Sequence, residues 1–174
     1  MTIDPQEEYD ATETFYETVE AMLDWPDDRL FKVAESVSAW SLAQHLYHIS
    51  IANGMMHKGV GLICQEHEMV KPDGEINKIG HWAMERGQFP RGKAQAPQGA
   101  VPPDTPSRDE VRKAIARSRH RFEQTEVLLP QIPEAQGYFT HTYFGDLDAA
   151  QWMRCARIHS EHHLAIIQEI DAAD

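Results

Sequence analysis

An all-α fold, a four-helix bundle with a long middle connection, is predicted by three observations on this 174-residue chain. Four stretches carry apolar residues at helical spacing. Glycine and proline crowd between the second and third of them, and no convincing strand pattern interrupts the series. The length suits one domain over residues 1–174 with a sizeable core.

The first pattern runs from about Pro5 to Trp25. Phe15, Val19, Met22 and Leu23 form its stripe, and Pro26 stops it. The second begins near Ser38 and reaches about Gln65, through Leu42, Leu46, Ile49, Met56, Val60 and Ile63. Gly59 and Gly61 weaken it locally. Residues 68–106 form the middle connection. A short helix is expected over Asn77–Arg86, and the run GQFPRGKAQAPQGAVPPDTP from Gly87 to Pro106 excludes regular structure. Connections this long in compact domains are usually functional or mobile. Ser107 with Glu110 reads as a capping box opening a third helix, which ends near Leu129 before Pro130 and Pro133. A turn region spans Gly137–Gly145. Asp148, with Gln151 at the reciprocal position, opens the last helix, which runs to about Ile170.

Composition excludes several functions. A formal net charge of −12 argues against nucleic acid and against anionic membrane surfaces as partners. The one basic run, Arg112–Arg121, reads as a solvated helix face. No apolar run approaches the roughly 20 residues of a membrane span, and the acidic start MTIDPQEEYD is no signal segment. A cytoplasmic location is expected, with Cys64 and Cys155 as reduced core thiols.

The stretch RIHSEHHLAII, residues 157–167, carries the chemistry. With His159 as zero and about 100° per residue, Trp152, Ile166 and Ile170 fall within about 20°, and Cys155 and His163 within about 40°. His159 and His163 thus stack at i and i+4 on the buried stripe, a spacing that lets two imidazoles share one metal ion. His162 lies about 60° aside. This is not the zincin pattern, since Ser160 follows His159 and Glu161 faces away. A third ligand is expected from the second helix. Periodicity favours His45, about 40° from Ile49, over His48, about 100° away, and leaves both open.

Two motifs resemble the DinB-like (DinB/YfiT) superfamily of small four-helix metal-binding proteins. One is WSLAQHLYHI, in which His48 follows the Trp40-Ser41 pair. The other is FGDLDAAQWMRCARIHSEHHL, residues 144–164, an FG-x-L turn followed by a tryptophan and His-x-x-His-His. The resemblance implies a centre of one histidine from the second helix and two from the last: His48, His159 and His163. It moves the choice from His45 to His48, leaving His45 a flanking role and His162 a rim position. It also implies a homodimer, and thiol-dependent transfer or isomerisation in some branches.

Three neutral imidazoles suit zinc, nickel or iron as the divalent ion and leave a coordination position open. That position serves metal-assisted hydrolysis or activation of a thiol cosubstrate acting on a small-molecule substrate. A non-catalytic metal-binding or stress-associated protein is the rival reading, and a bundle without metal is a third. Glu66, Glu68 and Asp146 are the acidic residues that could approach the site, and His141, Tyr143 and Phe144 could line its mouth. Cys155 as a fourth ligand would close the centre. Trp152 is expected in the core, and His57, His67 and His81 are expected as exposed polar residues near the long connection.

Overall fold

The computed structural model describes residues 2–92 and 95–173, so positions 93 and 94 of the Gly87–Pro106 run lie outside the described residues. Helix α1 spans Pro5–Met22, with Asp4 accepting from the Gln6 N–H and proline in the first turn. It stops before Trp25, and Pro26 caps a one-turn helix, α2 (Asp27–Leu30), which periodicity cannot reveal at that length. Helix α3 covers Leu42–Cys64, α4 Lys78–Arg86, α5 Arg108–Glu126 and α6 Ala149–Ala172. The long helices α1, α3, α5 and α6 form the bundle. α3 packs against both α5 and α6, and α1 closes the other side against the same two helices.

Three capping boxes set the starts. Ser107/Glu110 and Asp148/Gln151 act as expected, and Ser41/Gln44 is a third that moves the start of α3 from Ser38 to Leu42. Each cap contributes about 1 kcal/mol by satisfying orphan amides. The short helix α4 begins at the Asn77 cap, whose side chain accepts from Ile79 and Gly80, and Gly87 ends it at φ 62°. Only a 3-10 turn at Gln98–Ala100 interrupts the described part of the run from Gly87 to Pro106.

The all-α fold class holds, with one addition in the lead-in to α6, where no strand is expected from the sequence. Strands β1 (Phe139–His141) and β2 (Gly145–Leu147) pair antiparallel, with Phe139 opposite Leu147 and His141 opposite Gly145. Three-residue strands carry too little alternation to register in the sequence. The middle connection joins this hairpin through isolated bridges from Lys71 to Tyr138 and from Ile76 to Gly145. Gly145, the glycine of the FG-x-L motif, has φ 84°, and a Cβ there would lie 2.6 Å from the Glu75 carbonyl oxygen. The motif glycine therefore lets the connection lie flat on the hairpin.

The core joins all four long helices. Tyr9 stacks on Phe122 at 4.3 Å, and the buried Tyr16 hydroxyl meets Ser118 at 2.6 Å. Cys155 is a free thiol in the core and Cys64 a free, half-buried one. No helix among the described residues is long and apolar enough to cross a membrane.

Candidate metal centre

His48 on α3 and His159 and His163 on α6 come together, with one nitrogen from each within 4.8 Å of the others. Both helices are long and run past each other at this level, so the residues meet without help from a loop. His48 and His159 are buried, and His163 is half-buried.

Each ring is held from behind. His48 Nδ1 donates to the Ala100 carbonyl at 2.8 Å. His159 Nδ1 donates to Asn53 Oδ1 at 3.2 Å. Asn53 cannot turn around, because its amide nitrogen donates to Ser160 Oγ at 2.7 Å while that hydroxyl donates to the Ala156 carbonyl at 2.8 Å. Since a carbonyl oxygen only accepts, both Nδ1 atoms carry their ring's proton. Neutral rings then leave two bare Nε2 lone pairs facing each other, 3.1 Å apart.

Two facing lone pairs repel unless a cation lies between them. A proton is disfavoured, since burial first and neighbouring histidines second hold His159 well below the ordinary imidazole range, and burial lowers His48. Two imidazoles on one tetrahedral zinc would have nitrogens about 3.3 Å apart, near the observed spacing. The donor set fits a divalent ion.

His45, the choice of periodicity, is not in this group. It is buried behind His163, Nδ1 to Nδ1 at 3.1 Å, and its Nε2 lies 3.0 Å from Ser38 Oγ, which also accepts the Trp40 N–H. Two assignments satisfy these contacts: His163 Nδ1–H donates to His45 Nδ1 and His45 Nε2–H to Ser38, or the Ser38 hydroxyl donates to His45 Nε2 and His45 Nδ1–H to His163 Nδ1. The first leaves His163 Nε2 bare as well, and in both His45 orients the His163 ring from behind. Periodicity misdirected the choice because α3 is buried on two faces, toward α5 and toward α6, and an averaged stripe points at neither.

The centre forms one end of a cleft of about 850 Å³, lined by His48, His159, His162 and His163 among others. Trp40 covers it from α3's lead-in, 5.1 Å from the His48 ring. His141, Tyr143 and Phe144 do line the cleft, as does Trp152, which is also buried and donates to the Phe139 carbonyl. The expected acidic neighbours do not. Glu66 and Glu68 are absent from the lining, and Asp146 is taken up by Lys71 at 2.8 Å and by the Thr140 hydroxyl. Cys155 is also outside the group, fully buried with its thiol pushed up by burial. His67 and His81 are exposed, whereas His57 is buried with neither ring nitrogen hydrogen-bonded, contrary to the exposed role expected for it. Asn53 and Ala100 were beyond sequence reasoning. Asn53 lies one turn past Ile49 on an apolar helix, the only signal that could have found it, and a backbone carbonyl leaves none.

No curated protein matches the chain. The model of the DinB superfamily matches residues 10–167, which takes in α3, the hairpin and the histidine-bearing part of α6. That match covers most of the chain, and the chain belongs to the DinB superfamily.

Proposed function

We propose that His48, His159 and His163 hold one divalent metal ion with a position open to the cleft, and that the protein is a metal-dependent enzyme of thiol transfer or hydrolysis. The observation that carries the reading is the pair of Nε2 lone pairs held face to face by Ala100 and Asn53. Zinc or nickel, or else iron, is the ion that three imidazoles suit. When bound, such an ion polarises a substrate oxygen or a thiol sulfur as a Lewis acid. The chain's own residues do the rest. Ala100, Asn53 and His45 fix the ring orientations, Trp40 shields one side, and the apolar lining strips water from a substrate. A small molecule, with a thiol as cosubstrate, is the partner this reading requires. A homodimer in the cytoplasm, without nucleic acid or membrane, completes it.

One observation favours a non-catalytic metal-binding protein instead: no carboxylate of the described residues lines the cleft to act as a general base. The two readings share the metal and diverge at turnover. Protein purified without a polyhistidine tag should carry about one equivalent of metal by elemental analysis. The His159→Ala/His163→Ala double variant should lose it and His162→Ala should keep it. A double variant that retains its metal refutes the ligand assignment. A screen of thiols with electrophiles, and of esters and amides, then separates enzyme from binder, and silence with metal present favours the binder.

A further inference from the structure

The cleft is longer than its metal end needs. His48 and Gly59 lie eleven residues apart on α3, roughly 16 Å along the axis. The far end is marked by Trp152, whose indole packs against Gly59. Between these ends the lining is mostly apolar and aromatic, and among the described residues it holds no Asp, Glu or Arg. That is unusual for a chain with 28 acidic residues. Among the described residues its charged side chains are Lys58 and Lys78, both exposed and neither in an ion pair there. Both belong to the far end. Lys58 precedes Gly59, and Lys78 opens α4, whose Asn77 cap donates to the Tyr143 carbonyl in the hairpin turn.

His141 adds a fixed donor there, 5.2 Å from the Trp152 ring and stacked on Phe144 at 4.4 Å. Its Nδ1 accepts the backbone N–H groups of Tyr143 and Phe144, both at 3.2 Å. Burial holds the ring neutral by pushing its pKa down to about 4. The one ring proton therefore sits on Nε2, which has no partner among the described residues and is not sealed from solvent. Five large apolar side chains, Met55, Met69, Ile79, Trp82 and Tyr143, both line the cleft and stand exposed. Exposed apolar surface gathered around a cavity marks a ligand site.

We infer that the cleft takes an elongated amphipathic anion, its apolar body along α3 and its anionic group at the His141 Nε2–H between Lys58 and Lys78. This rests on the metal reading only for the other end, where the reacting group meets the three histidines. The anion end is built from His141, Lys58 and Lys78, none of them in the three-histidine group, so its binding does not require the metal.

Decanoate is the probe, with decanol and decyltrimethylammonium as neutral and cationic counterparts, titrated calorimetrically below their micelle concentrations. The full-length protein is used as purified and again after chelation, with metal content measured on each sample. Decanoate should bind more than threefold tighter than either counterpart in both samples. Lys58→Glu/Lys78→Glu, a surface change that leaves the core alone, should cost more than threefold in decanoate affinity and nothing for the cation. His141→Phe should weaken decanoate alone. Differences of threefold or less, between probes or on charge reversal, overturn the inference. Selective decanoate binding by a protein that never holds metal sinks the metal reading and leaves this one standing. Metal without selectivity does the converse.

Discussion

His57 shows how much a single side chain can cost. It lies in the core of α3, its ring 5.3 Å edge-on to Phe122, and neither nitrogen finds a partner. Burial pushes its pKa down to about 3. The unfolded ring takes a proton near 6.5 and the folded ring only near 3, so the stability it permits is complete above about pH 6.5 and is lost as pH falls toward 3. At pH 5 the loss from this residue is about 2 kcal/mol. His57→Leu should raise stability at pH 7 by about 1 kcal/mol, by removing an unsatisfied polar ring, and should flatten the pH slope. Urea midpoints at pH 7.5 and 5 check both, and a variant less stable than the parent at both values would refute the account. The residue scale was unevenly legible. His159 and His163 stood out because i, i+4 spacing on an apolar stripe is rare. His48 emerged only through the Trp40-Ser41 motif, and His57 was misplaced because nothing local distinguishes a buried histidine from an exposed one.

At the scale of elements, α3 and α6 define the cleft by how closely they pass. A Cβ on Gly59 would lie 3.2 Å from the Trp152 ring, whereas one on Gly61 meets nothing within 4 Å. Alanine gains up to about 1 kcal/mol over glycine inside a helix. Gly61→Ala should therefore stabilise by about 0.5–1 kcal/mol in thermal unfolding. Gly59→Ala should gain less, and it should shift the tryptophan fluorescence as the Trp152 ring gives way. Equal gains with unchanged fluorescence would contradict the close passage. Capping chemistry made two helix starts readable, because Ser107 and Asp148 bond to their own next turn. Ser41 used the same chemistry unnoticed, and the hairpin stayed hidden because strands of three residues carry too little alternation.

For the whole molecule, the bundle is closed by a charge cluster rather than by apolar contact alone. Glu8 on α1 is buried and accepts from Arg154 at 2.8 Å and from Arg157, both on α6. Glu8→Ala would leave the half-buried Arg154 without a carboxylate and Arg157 with Glu161 alone, and should cost about 3 kcal/mol, with Glu8→Gln costing less. Denaturant unfolding of the two variants checks the order, and equal small losses would show that the cluster is ornamental. The fold class was readable from periodicity because α1, α5 and α6 each keep one mostly apolar face and α3 is apolar along its whole length. The partnering of α1 with α6 was not, since it depends on which faces meet. A last consequence follows from the Ala100 carbonyl, which belongs to the middle connection and yet steadies His48. An ion held by the three rings would thereby be fastened to a strap outside the bundle. Binding of the ion and docking of the strap would then favour each other by the same free energy, so a strap held in place tightens the ion and a bound ion steadies the strap.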